Sequence, residues 1–448
     1  MESLISKYNV PGPRYTSYPT VPYWENESFT TQAWIESLKK QDSNALSLYI
    51  HLPFCESLCT FCACNKRITK RHEVEDPYLK SVLKEWKMYL EVLNEKPQIK
   101  EIHLGGGTPT FFSPENLEYL LKSILDTAIV TDDIEFSFEG HPNNTTEDHL
   151  ATLNNLGFTR VSYGIQDYNP KVQIAIHRIQ SFENVKKATE NARKLGYKSV
   201  GHDIIFGLPL QTLDDVINTI NYTKELMPDR IAFYSYAHVP WTKGNGQRGF
   251  SEDDLPTPEE KRKQYETGKK MLEEIGYMEI GMDHFALPDD DLSIAYKEGY
   301  LHRNFMGYTI TNTKTMIGLG VSAISDSWTA FAQNEKKLED YYARLEENVL
   351  PVAKGHLLNE EDLIIRQQVL NLMCNFETSW SKNEEEMINF DQIIEGLKEF
   401  KNDGLLEYTD HSVKVHDKGR VFIRNICMAF DLRLKRAKPQ TKLFSMTI

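Results

Sequence analysis

The sequence predicts an α/β protein built on an incomplete barrel of six β/α units, with an N-terminal arm and a mostly helical C-terminal domain. Short apolar runs suited to buried strands alternate with amphipathic helical segments from residue 45 to about residue 285. Such alternation implies parallel strands joined by right-handed crossovers. About six strong units precede the point where the pattern loosens, too few for a closed eight-stranded barrel. The predicted parts are the arm (1–35), the partial barrel (36–335) and the C-terminal domain with a small wing-like hairpin (336–448).

The arm is rich in proline and aromatic residues. Prolines at positions 11, 13, 19 and 22 exclude a long helix and favour extended structure. From the residues alone, a stretch of this kind either packs as a strap over the main domain or reaches towards an active site.

The barrel elements follow from apolar runs and helix-start signals. Asp76-Pro77 predicts an N-cap followed by a first-turn proline, and Ser113-Pro114 predicts the start of the next helix. Thr257 to Glu260 forms a capping box, which predicts a helix to about residue 275. The predicted strands are 45–51, 99–104, 134–139, 160–165, 199–206 and 230–237.

The chain changes character beyond residue 335. Helices are predicted near 336–347, 360–375 and 384–402, then a hairpin whose strands LLEY and VKVH are joined by residues 409–412, and a helix from about 418. Helices with a wing-like hairpin can indicate a DNA-binding module. The net charge of −14 opposes that reading, so a packing domain over the barrel mouth is preferred and no nucleic-acid partner is expected.

Composition and hydropathy are those of an ordinary globular protein, with 40% hydrophobic and 26% charged residues. No apolar run approaches the roughly 20 residues of a membrane span, and the N-terminus lacks the apolar core of a signal peptide. We therefore expect a cytoplasmic monomer without a membrane partner. The reducing cytoplasm also suits an exposed cysteine loop.

The stretch from Tyr49 to Lys66 concentrates the cysteines. Cys55, Cys59, Cys62 and Cys64 are four of the six cysteines in 448 residues. Thiolates are the usual ligands of iron–sulfur clusters, and a C-x-x-x-C-x-x-C spacing supplies three of them while leaving a fourth iron without a local cysteine. A zinc site normally needs a second ligand pair, and a disulfide knot needs more cysteines than the rest of the chain has. The spacing favours an iron–sulfur site over zinc.

Polar and glycine-rich residues follow the predicted strands at one edge of the sheet. In βα folds, functional residues gather where parallel strands end. Convergence at this edge predicts an active site, although a glycine run also makes plain tight turns and a lone glutamate can be an ordinary loop carboxylate. The groups are the cysteine loop, Gly105–Pro109, Glu139–Pro142, Gln166–Asp167, Asp203 and Tyr234–His238.

The cysteine stretch resembles one family in particular. C-x-x-x-C-x-x-C is the signature of radical S-adenosylmethionine (SAM) enzymes, and the longer string YIHLPFCESLCTFCACNK is similar to the oxygen-independent coproporphyrinogen III oxidases of haem biosynthesis. The resemblance covers nearly the whole chain, because further matching strings are GPRYTSYPT (12–20), GMDHFA (281–286), HRNF (302–305) and RNICM (424–428).

The resemblance implies a partial barrel, a [4Fe–4S] cluster on Cys55, Cys59 and Cys62, and two SAM molecules in each active site. It implies catalytic roles for Cys64 and Glu139, with Glu139 binding the amino group of the cluster-bound SAM. One departure affects this network: His141 stands where the family usually has an acidic residue. The implied contacts of the cluster-bound SAM are Tyr49, Gly106, Glu139, Ala237 and Ile324, and those of the second SAM are Phe61, Gly107, Thr108, Gln166, Arg178 and Asp203.

The implied reaction removes hydrogen from the β-carbon of a substrate propionate through a 5′-deoxyadenosyl radical. Loss of carbon dioxide and one electron then leaves a vinyl group, and two such events convert coproporphyrinogen III to protoporphyrinogen IX. The implied partners are an electron donor such as a flavodoxin or ferredoxin and an electron acceptor that the residues do not identify. Four substrate carboxylates need cationic anchors, for which the candidates are Arg14, Lys66, Arg67 and Arg303.

Two other function classes fit parts of the pattern. Haem-binding chaperones related to this family share its fold and cluster but usually lack a cysteine at the position of Cys64, so Cys64 and the arm favour the enzyme. A plain electron carrier would use the cluster without binding SAM.

Overall fold

In the computed structural model, one mixed sheet of twelve strands organises the protein, and the structure describes residues 2–240, 247, 249–437 and 443–447. Named in chain order, the strands are β1 (Ala45–Leu52), β2 (Phe54–Cys55), β3 (Arg67–Ile68), β4 (Gln98–Gly106), β5 (Ile129–Gly140), β6 (Phe158–Gln166), β7 (Ser199–Phe206), β8 (Arg230–Ser235), β9 (Met278–Gly281), β10 (His284–Ala286), β11 (His302–Asn304), β12 (Gly307–Thr309), β13 (Thr315–Leu319), β14 (Ile324–Asp326), β15 (Ala330–Asn334), β16 (Val352–Leu357), β17 (Glu377–Ser379), β18 (Leu406–Tyr408) and β19 (Ser412–Val415).

Helices cover the sheet and build most of the C-terminal part. In chain order they are α1 (Glu2–Tyr8), α2 (Thr31–Lys39), α3 (Glu75–Val92), α4 (Pro114–Leu125), α5 (Glu147–Asn155), α6 (Pro170–Ala175), α7 (Phe182–Lys194), α8 (Leu213–Leu226), α9 (Pro258–Glu274), α10 (Asp291–Glu298), α11 (Leu338–Glu346), α12 (Glu360–Asn375), α13 (Lys382–Met387), α14 (Phe390–Asn402), α15 (Ile423–Phe430) and α16 (Leu432–Ala437). Short 3-10 helices occupy Val21–Tyr23, Asn26–Ser28, His72–Val74, Pro109–Phe111, Glu252–Asp254 and Asp417–Phe422.

The predicted incomplete barrel is confirmed. The sheet order is β16-β15-β14-β13-β1-β4-β5-β6-β7-β8-β10-β9. Neighbouring strands are parallel in the central part of the sheet, from β13 through β1, β4, β5, β6 and β7 to β8. The six predicted strands are β1, β4, β5, β6, β7 and β8. The antiparallel strands at the two edges are too short to give the sequence a clear period. The sheet continues past residue 335 to β16, and the division into domains stays a prediction.

Capping explains where two of the barrel helices begin and corrects one prediction. Ser113 and Thr257 cap α4 and α9 as expected, and Thr257 forms the capping box with Glu260. The N-cap predicted at Asp76 is wrong. α3 already begins at Glu75, and Asp76 lies in its first turn, where it pairs with Lys80 at 2.7 Å and a negative charge is favourable.

The arm packs on the C-terminal core. Its prolines confine helix to α1, and residues 9 to 20 run without helix or strand apart from one isolated bridge at Pro11. Tyr8, Tyr15 and Tyr18 are buried in the apolar cluster formed by α12, α14 and α15. α2 then begins after its N-cap Thr30 and returns the chain to the barrel.

The C-terminal part differs from its prediction in two places. The helix predicted over 384–402 is broken into α13 and α14, because Asn389 caps a new start by accepting from Gln392 N at 3.2 Å. The predicted hairpin of β18 and β19 is present, but β17 pairs with β19 as a third strand. The helix expected from 418 begins as the 3-10 turn at Asp417 and becomes α15 at Ile423. Among the described residues, no helix is long and apolar enough to cross a membrane.

Candidate active site

The cysteine loop follows β1 and is closed by a two-residue ribbon. β2 and β3 pair in parallel, so Cys55 lies opposite Ile68, and Thr69 N donates to Cys55 O at 2.9 Å. A turn in which Cys62 N donates to Cys59 O at 3.2 Å brings the second and third cysteines together. Cys55, Cys59 and Cys62 line one open pocket with about 1250 Å³ of empty space.

The segment after α6 holds the outer side of this loop. Thr60 donates through its amide to Ile176 O and through its hydroxyl to Ala175 O, both at 2.9 Å. The Arg178 guanidinium points at the cysteines, with Nη1 3.8 Å from Cys59 Sγ. The charge of Arg178 lowers the pKa of Cys62, and the thiolate is the form that binds metal.

The thiols have different proton affinities. Burial raises the pKa of Cys55 to about 11. A hydrogen bond from Cys64 lowers the pKa of Cys62 to about 6, and the charges of Lys66 and Arg178 act in the same direction. The same thiol–thiol hydrogen bond raises the pKa of Cys64 well above its usual value. Cys64 follows Cys62 by two residues and lies at the exposed end of the loop.

The glycine run after β4 presses its backbone against this loop. Gly107 N donates to Leu52 O at 2.8 Å and Thr108 N donates to Phe54 O at 2.9 Å. The Thr108 hydroxyl lies 3.4 Å from Cys55 Sγ. A β-carbon on Gly107 would lie 2.6 Å from the Pro53 carbonyl carbon, so only glycine allows this approach.

Glu139, at the end of β5, faces the cavity inside the barrel, which has about 750 Å³ of empty space. Its carboxylate accepts from Gly106 N at 3.3 Å and lies 3.5 Å from His103 Nε2. Enclosure by the protein raises its pKa, but the hydrogen bond and charge of His103 outweigh this and leave the pKa below its usual value. Tyr49 stacks on His103 at a centroid distance of 6.1 Å, because β1 and β4 place them opposite each other.

The predicted contacts on β6 and β7 form a second polar group. Arg178 donates through Nη2 to Gly164 O at 2.8 Å, and a β-carbon on Gly164 would meet both Arg178 and the Gln166 amide. Gln166 is buried, and its Oε1 has no hydrogen-bond partner among the described residues. Asp203 accepts from the Ser162 hydroxyl at 2.9 Å, and burial raises its pKa to about 7.

The remaining predicted contacts, Phe61, Ala237 and Ile324, lie beside these groups. Gln247 Nε2 donates to both Phe61 O and Ala237 O, which ties the cysteine loop to the end of β8. Ile324 lies behind Tyr49, because Gly318 pairs with Tyr49 on β1 and packs against the Ile324 backbone. The structure thus brings all the predicted residues to one end of the barrel.

The donors present fit a cubane iron–sulfur cluster. No three His, Cys, Asp or Glu side chains among the described residues converge on one point, as a single metal ion would require. A cubane differs, because each cysteine binds a different iron and the thiols stand around the cluster. Three thiols around one pocket meet this need. The unpartnered Gln166 Oε1, the Arg178 guanidinium near the Gln166 amide nitrogen, and Glu139 at the same end of the barrel suit a polar, charged ligand such as SAM.

His141, the departure from the family pattern, lines the cysteine pocket. Burial, with the nearby charge of Arg178, lowers the pKa of His141 to about 3, so its ring is neutral at physiological pH. His141 Nδ1 accepts from Asn143 N at 3.1 Å. A neutral ring thus occupies the place where the resemblance implies a carboxylate.

Two histidines of the site escaped sequence reasoning. His103 is the partner of Glu139, and His51 bridges the Tyr49 hydroxyl and Asn65 O at 2.9 Å each. The two-residue period of a strand could have identified them, because it places His51 on the same face as Tyr49 and His103 on the same face as Gly105.

The comparisons with known proteins all identify one family, and the matches to individual proteins extend over nearly the whole chain. Residues 49–223 match the model of the Radical SAM superfamily. The chain is 39% identical over 456 aligned positions to the oxygen-independent coproporphyrinogen III oxidase of Escherichia coli strain K12, covering 100% of this chain and 98% of that protein. It is 38% identical over 458 positions to the protein of that name from Synechocystis, with 99% and 97% covered.

A solved structure is also similar over nearly the whole chain. Coproporphyrinogen III oxidase from Escherichia coli, described as a radical SAM enzyme, superposes with a TM-score of 0.90 at 36% sequence identity, covering 96% of this chain and 98% of that one.

Proposed function

The chain belongs to the oxygen-independent coproporphyrinogen III oxidases, a radical SAM family, and on this basis we propose how its own residues serve the reaction. The enzyme oxidises coproporphyrinogen III without oxygen in haem biosynthesis. Two propionate side chains become vinyl groups, which gives protoporphyrinogen IX. The observation that carries the assignment of residues is that Cys55, Cys59 and Cys62 line one pocket with Gly107, Thr108 and Arg178.

Cys55, Cys59 and Cys62 are the cluster ligands in this proposal. When bound, the reduced cluster and SAM supply a carbon-centred radical that removes hydrogen from the substrate. The protein holds the reactants and excludes water. The loop suits this task because the β2–β3 ribbon, the glycine run and the segment after α6 fix it from three sides.

Glu139 binds the amino group of the SAM that sits on the cluster. Its pKa lies below the usual value, so it is a carboxylate at neutral pH and can accept from an ammonium group. Tyr49 and Gly106 flank it, and Ala237 and Ile324 complete this contact set. His103 holds the Glu139 carboxylate from the side.

The polar group formed by Gln166, Arg178 and Asp203 would hold a second SAM. Gln166 contributes an unpaired acceptor, Arg178 a cation and Asp203 a carboxyl group, with Phe61, Gly107 and Thr108 along the loop. Burial raises the pKa of Asp203 to about 7, so this carboxyl group titrates near physiological pH and can donate as well as accept.

Cys64 acts beside the cluster without being a ligand. It follows Cys62 by two residues and lies at the exposed end of the loop. We assign it a role in turnover and none in holding iron.

The electron donor is a small acidic carrier such as a flavodoxin or ferredoxin. Support comes from the exposed basic stretch after the cysteines, in a chain whose net charge is −14. The β2–β3 ribbon places its start next to Cys55, so an acidic partner docked there approaches the cluster ligands. The exposed basic side chains are Arg67, Lys70, Arg71 and His72. We place the enzyme in the cytoplasm as a monomer.

Anaerobic turnover tests the proposal. Protein with reconstituted cluster receives SAM, a strong reductant and coproporphyrinogen III, and products are separated by chromatography. We expect protoporphyrinogen IX together with 5′-deoxyadenosine. Deoxyadenosine alone would point to a different substrate, and stoichiometric haem binding with neither product would replace the enzyme by a haem-binding chaperone.

A further inference from the structure

A third cavity lies between the arm, the end of the barrel and the C-terminal helices. It has about 730 Å³ of empty space, which includes open solvent. Its wall includes Phe206 and Ser235 at the ends of β7 and β8. Among the described residues, the charged side chains lining it are five basic, Arg14, Lys261, Arg262, Arg420 and Arg424, and two acidic, Glu279 and Asp283.

The two acidic groups are already paired. Arg14 Nη1 donates to Asp283 at 2.9 Å, and Lys269 pairs with Glu279 at 2.6 Å. Arg262 pairs with Glu266 at 2.8 Å and Arg420 lies 4.0 Å from Glu279, so the unpaired positive charge of the described lining belongs to Lys261 and Arg424.

The positive charge of Lys261 is poorly offset by its neighbours. Its ammonium group donates to the backbone carbonyl of Tyr236 at 2.8 Å, and no carboxylate of the described residues is close enough to form an ion pair with it. Burial lowers its pKa to about 8, and the charge of Arg14 adds to the effect. Taking an ammonium group out of water without a counter-ion is costly, so an anion bound here would be favourable.

Arg424 adds positive charge and fixes the arm. Its guanidinium donates to the backbone carbonyls of Gly12, Pro13 and Met446. Arg303 acts in the same way, because its Nη1 donates to Arg14 O at 3.0 Å and Tyr15 O at 2.6 Å. Arg303, a candidate substrate anchor from the sequence, also positions the backbone that carries Arg14.

The cavity borders the proposed SAM site along β8. Tyr234 lines the barrel cavity that contains Glu139, and its ring lies 5.9 Å below the Arg14 guanidinium. The carbonyl that Lys261 contacts belongs to Tyr236, the residue before Ala237. A flat molecule wider than one cavity could therefore place one edge by the cations and another in the barrel.

We propose that Lys261 and Arg14 bind propionate carboxylates of coproporphyrinogen III that do not react in the current turnover. This inference rests on the proposed function, which supplies a substrate with four carboxylates. A carboxylate held by these cations lies at the arm end of the cavity, so the reacting propionate is a different one.

Binding of coproporphyrin III, the stable oxidised macrocycle with the same four propionates, tests the anchors without turnover. The reconstituted enzyme is titrated with it anaerobically, followed by absorbance. Lys261→Met removes the charge at similar length and should weaken binding about ten- to a hundredfold, as expected for loss of one charge-assisted hydrogen bond. Lys261→Arg should stay within threefold. Lys270→Met is the matched control, because Lys270 lies on α9 and its side chain is 76% exposed.

The uncharged tetramethyl ester of coproporphyrin III separates charge recognition from a structural effect. Lys261→Met should leave its affinity unchanged. Equal weakening for acid and ester would make Lys261 a structural residue and overturn the proposal, as would unchanged binding of the acid. Arg14→Gln should repeat the acid-specific loss. If wild type binds coproporphyrin III but does not turn over coproporphyrinogen III, the proposed function is wrong. The acid-specific losses of affinity would still support Lys261 and Arg14 as anchors.

Discussion

Gly107→Ala is the substitution whose effect can best be worked out from the contacts. The added β-carbon would lie 2.6 Å and 2.7 Å from the carbon and oxygen of the Pro53 carbonyl, and 2.8 Å from Phe54 O. Those atoms belong to the backbone of the cysteine loop and cannot rotate away. Restoring ordinary van der Waals distances requires the glycine run and the loop to separate by about 0.7 Å.

That separation would remove the two hydrogen bonds joining these segments. Gly107 N to Leu52 O and Thr108 N to Phe54 O are now 2.8 Å and 2.9 Å, and both would lengthen to about 3.5 Å, where an amide hydrogen bond is lost. Their loss would cost about 1–3 kcal/mol locally. Because a misplacement of about 1 Å in an active site can cost a factor of 10² in rate, we expect kcat/KM to fall about a hundredfold.

The assay combines three measurements on reconstituted protein: iron content, SAM affinity by equilibrium dialysis, and anaerobic turnover. Iron content should stay near wild type, while SAM binding and turnover fall together. Gly396→Ala is the control, since its nearest neighbour at 3.2 Å is the mobile end of Lys435 and alanine favours a helix by up to about 1 kcal/mol. A folded Gly107→Ala protein with SAM affinity and turnover within twofold of wild type would refute the reasoning.

Three further predictions concern the cluster, the pH dependence of stability and the arm. Serine at Cys55, Cys59 or Cys62 should abolish cluster assembly, whereas Cys64→Ser should keep full iron and 4Fe–4S absorbance but lose turnover; loss of iron from Cys64→Ser would make Cys64 a ligand. Burial lowers the pKa of His202 to about 3, so below pH 6.5 the unfolded chain binds a proton that the folded protein does not, and the free energy of unfolding should fall by about 2 kcal/mol from pH 8 to pH 5. In denaturant titrations of the apoprotein, His202→Gln should show a loss smaller by that amount, and an equal loss would contradict the assignment. Arg303→Leu removes two charge-assisted hydrogen bonds to the arm, so limited proteolysis before residue 30 should be at least tenfold faster than in wild type, with Arg303→Lys in between; an unchanged cleavage rate would show that the tyrosines alone hold the arm.

The sequence predicts the barrel well because local signals are strong there. Six apolar runs of strand length alternate with capped helices, and the cysteines sit where the first strand ends. The sequence predicts less well those elements whose structure depends on residues far away in the chain. β17 has three residues and exists as a strand because β19 lies beside it. The break before α14 depends on one capping side chain, Asn389, within a segment of otherwise helical composition.

The same division holds for the site. Motif and strand position identify the cysteines, Glu139 and Asp203, and the structure brings them together. Sequence spacing does not reveal that His103 would hold Glu139, since the two residues are on different strands. The anchor candidates Arg14, Lys66, Arg67 and Arg303 stay predictions. Arg67 pairs with Glu339, and Lys66 donates to Cys62 O at 3.2 Å. Lys261 has no sequence motif around it that would have identified it.

The strand β8 explains how one substrate can meet both the radical site and the cations. Tyr234 lines the barrel cavity with Glu139, and its ring lies 5.9 Å below the guanidinium of Arg14, which lines the cavity of Lys261. The arm borders the cavity of Lys261 and is itself held by Arg303 and Arg424, both of which bind its backbone. A loosened arm would displace Arg14 and open the cavity to water, which would weaken its charge interactions with a carboxylate. Substrate affinity and order in the arm should therefore rise and fall together, even though the arm contributes no cluster ligand.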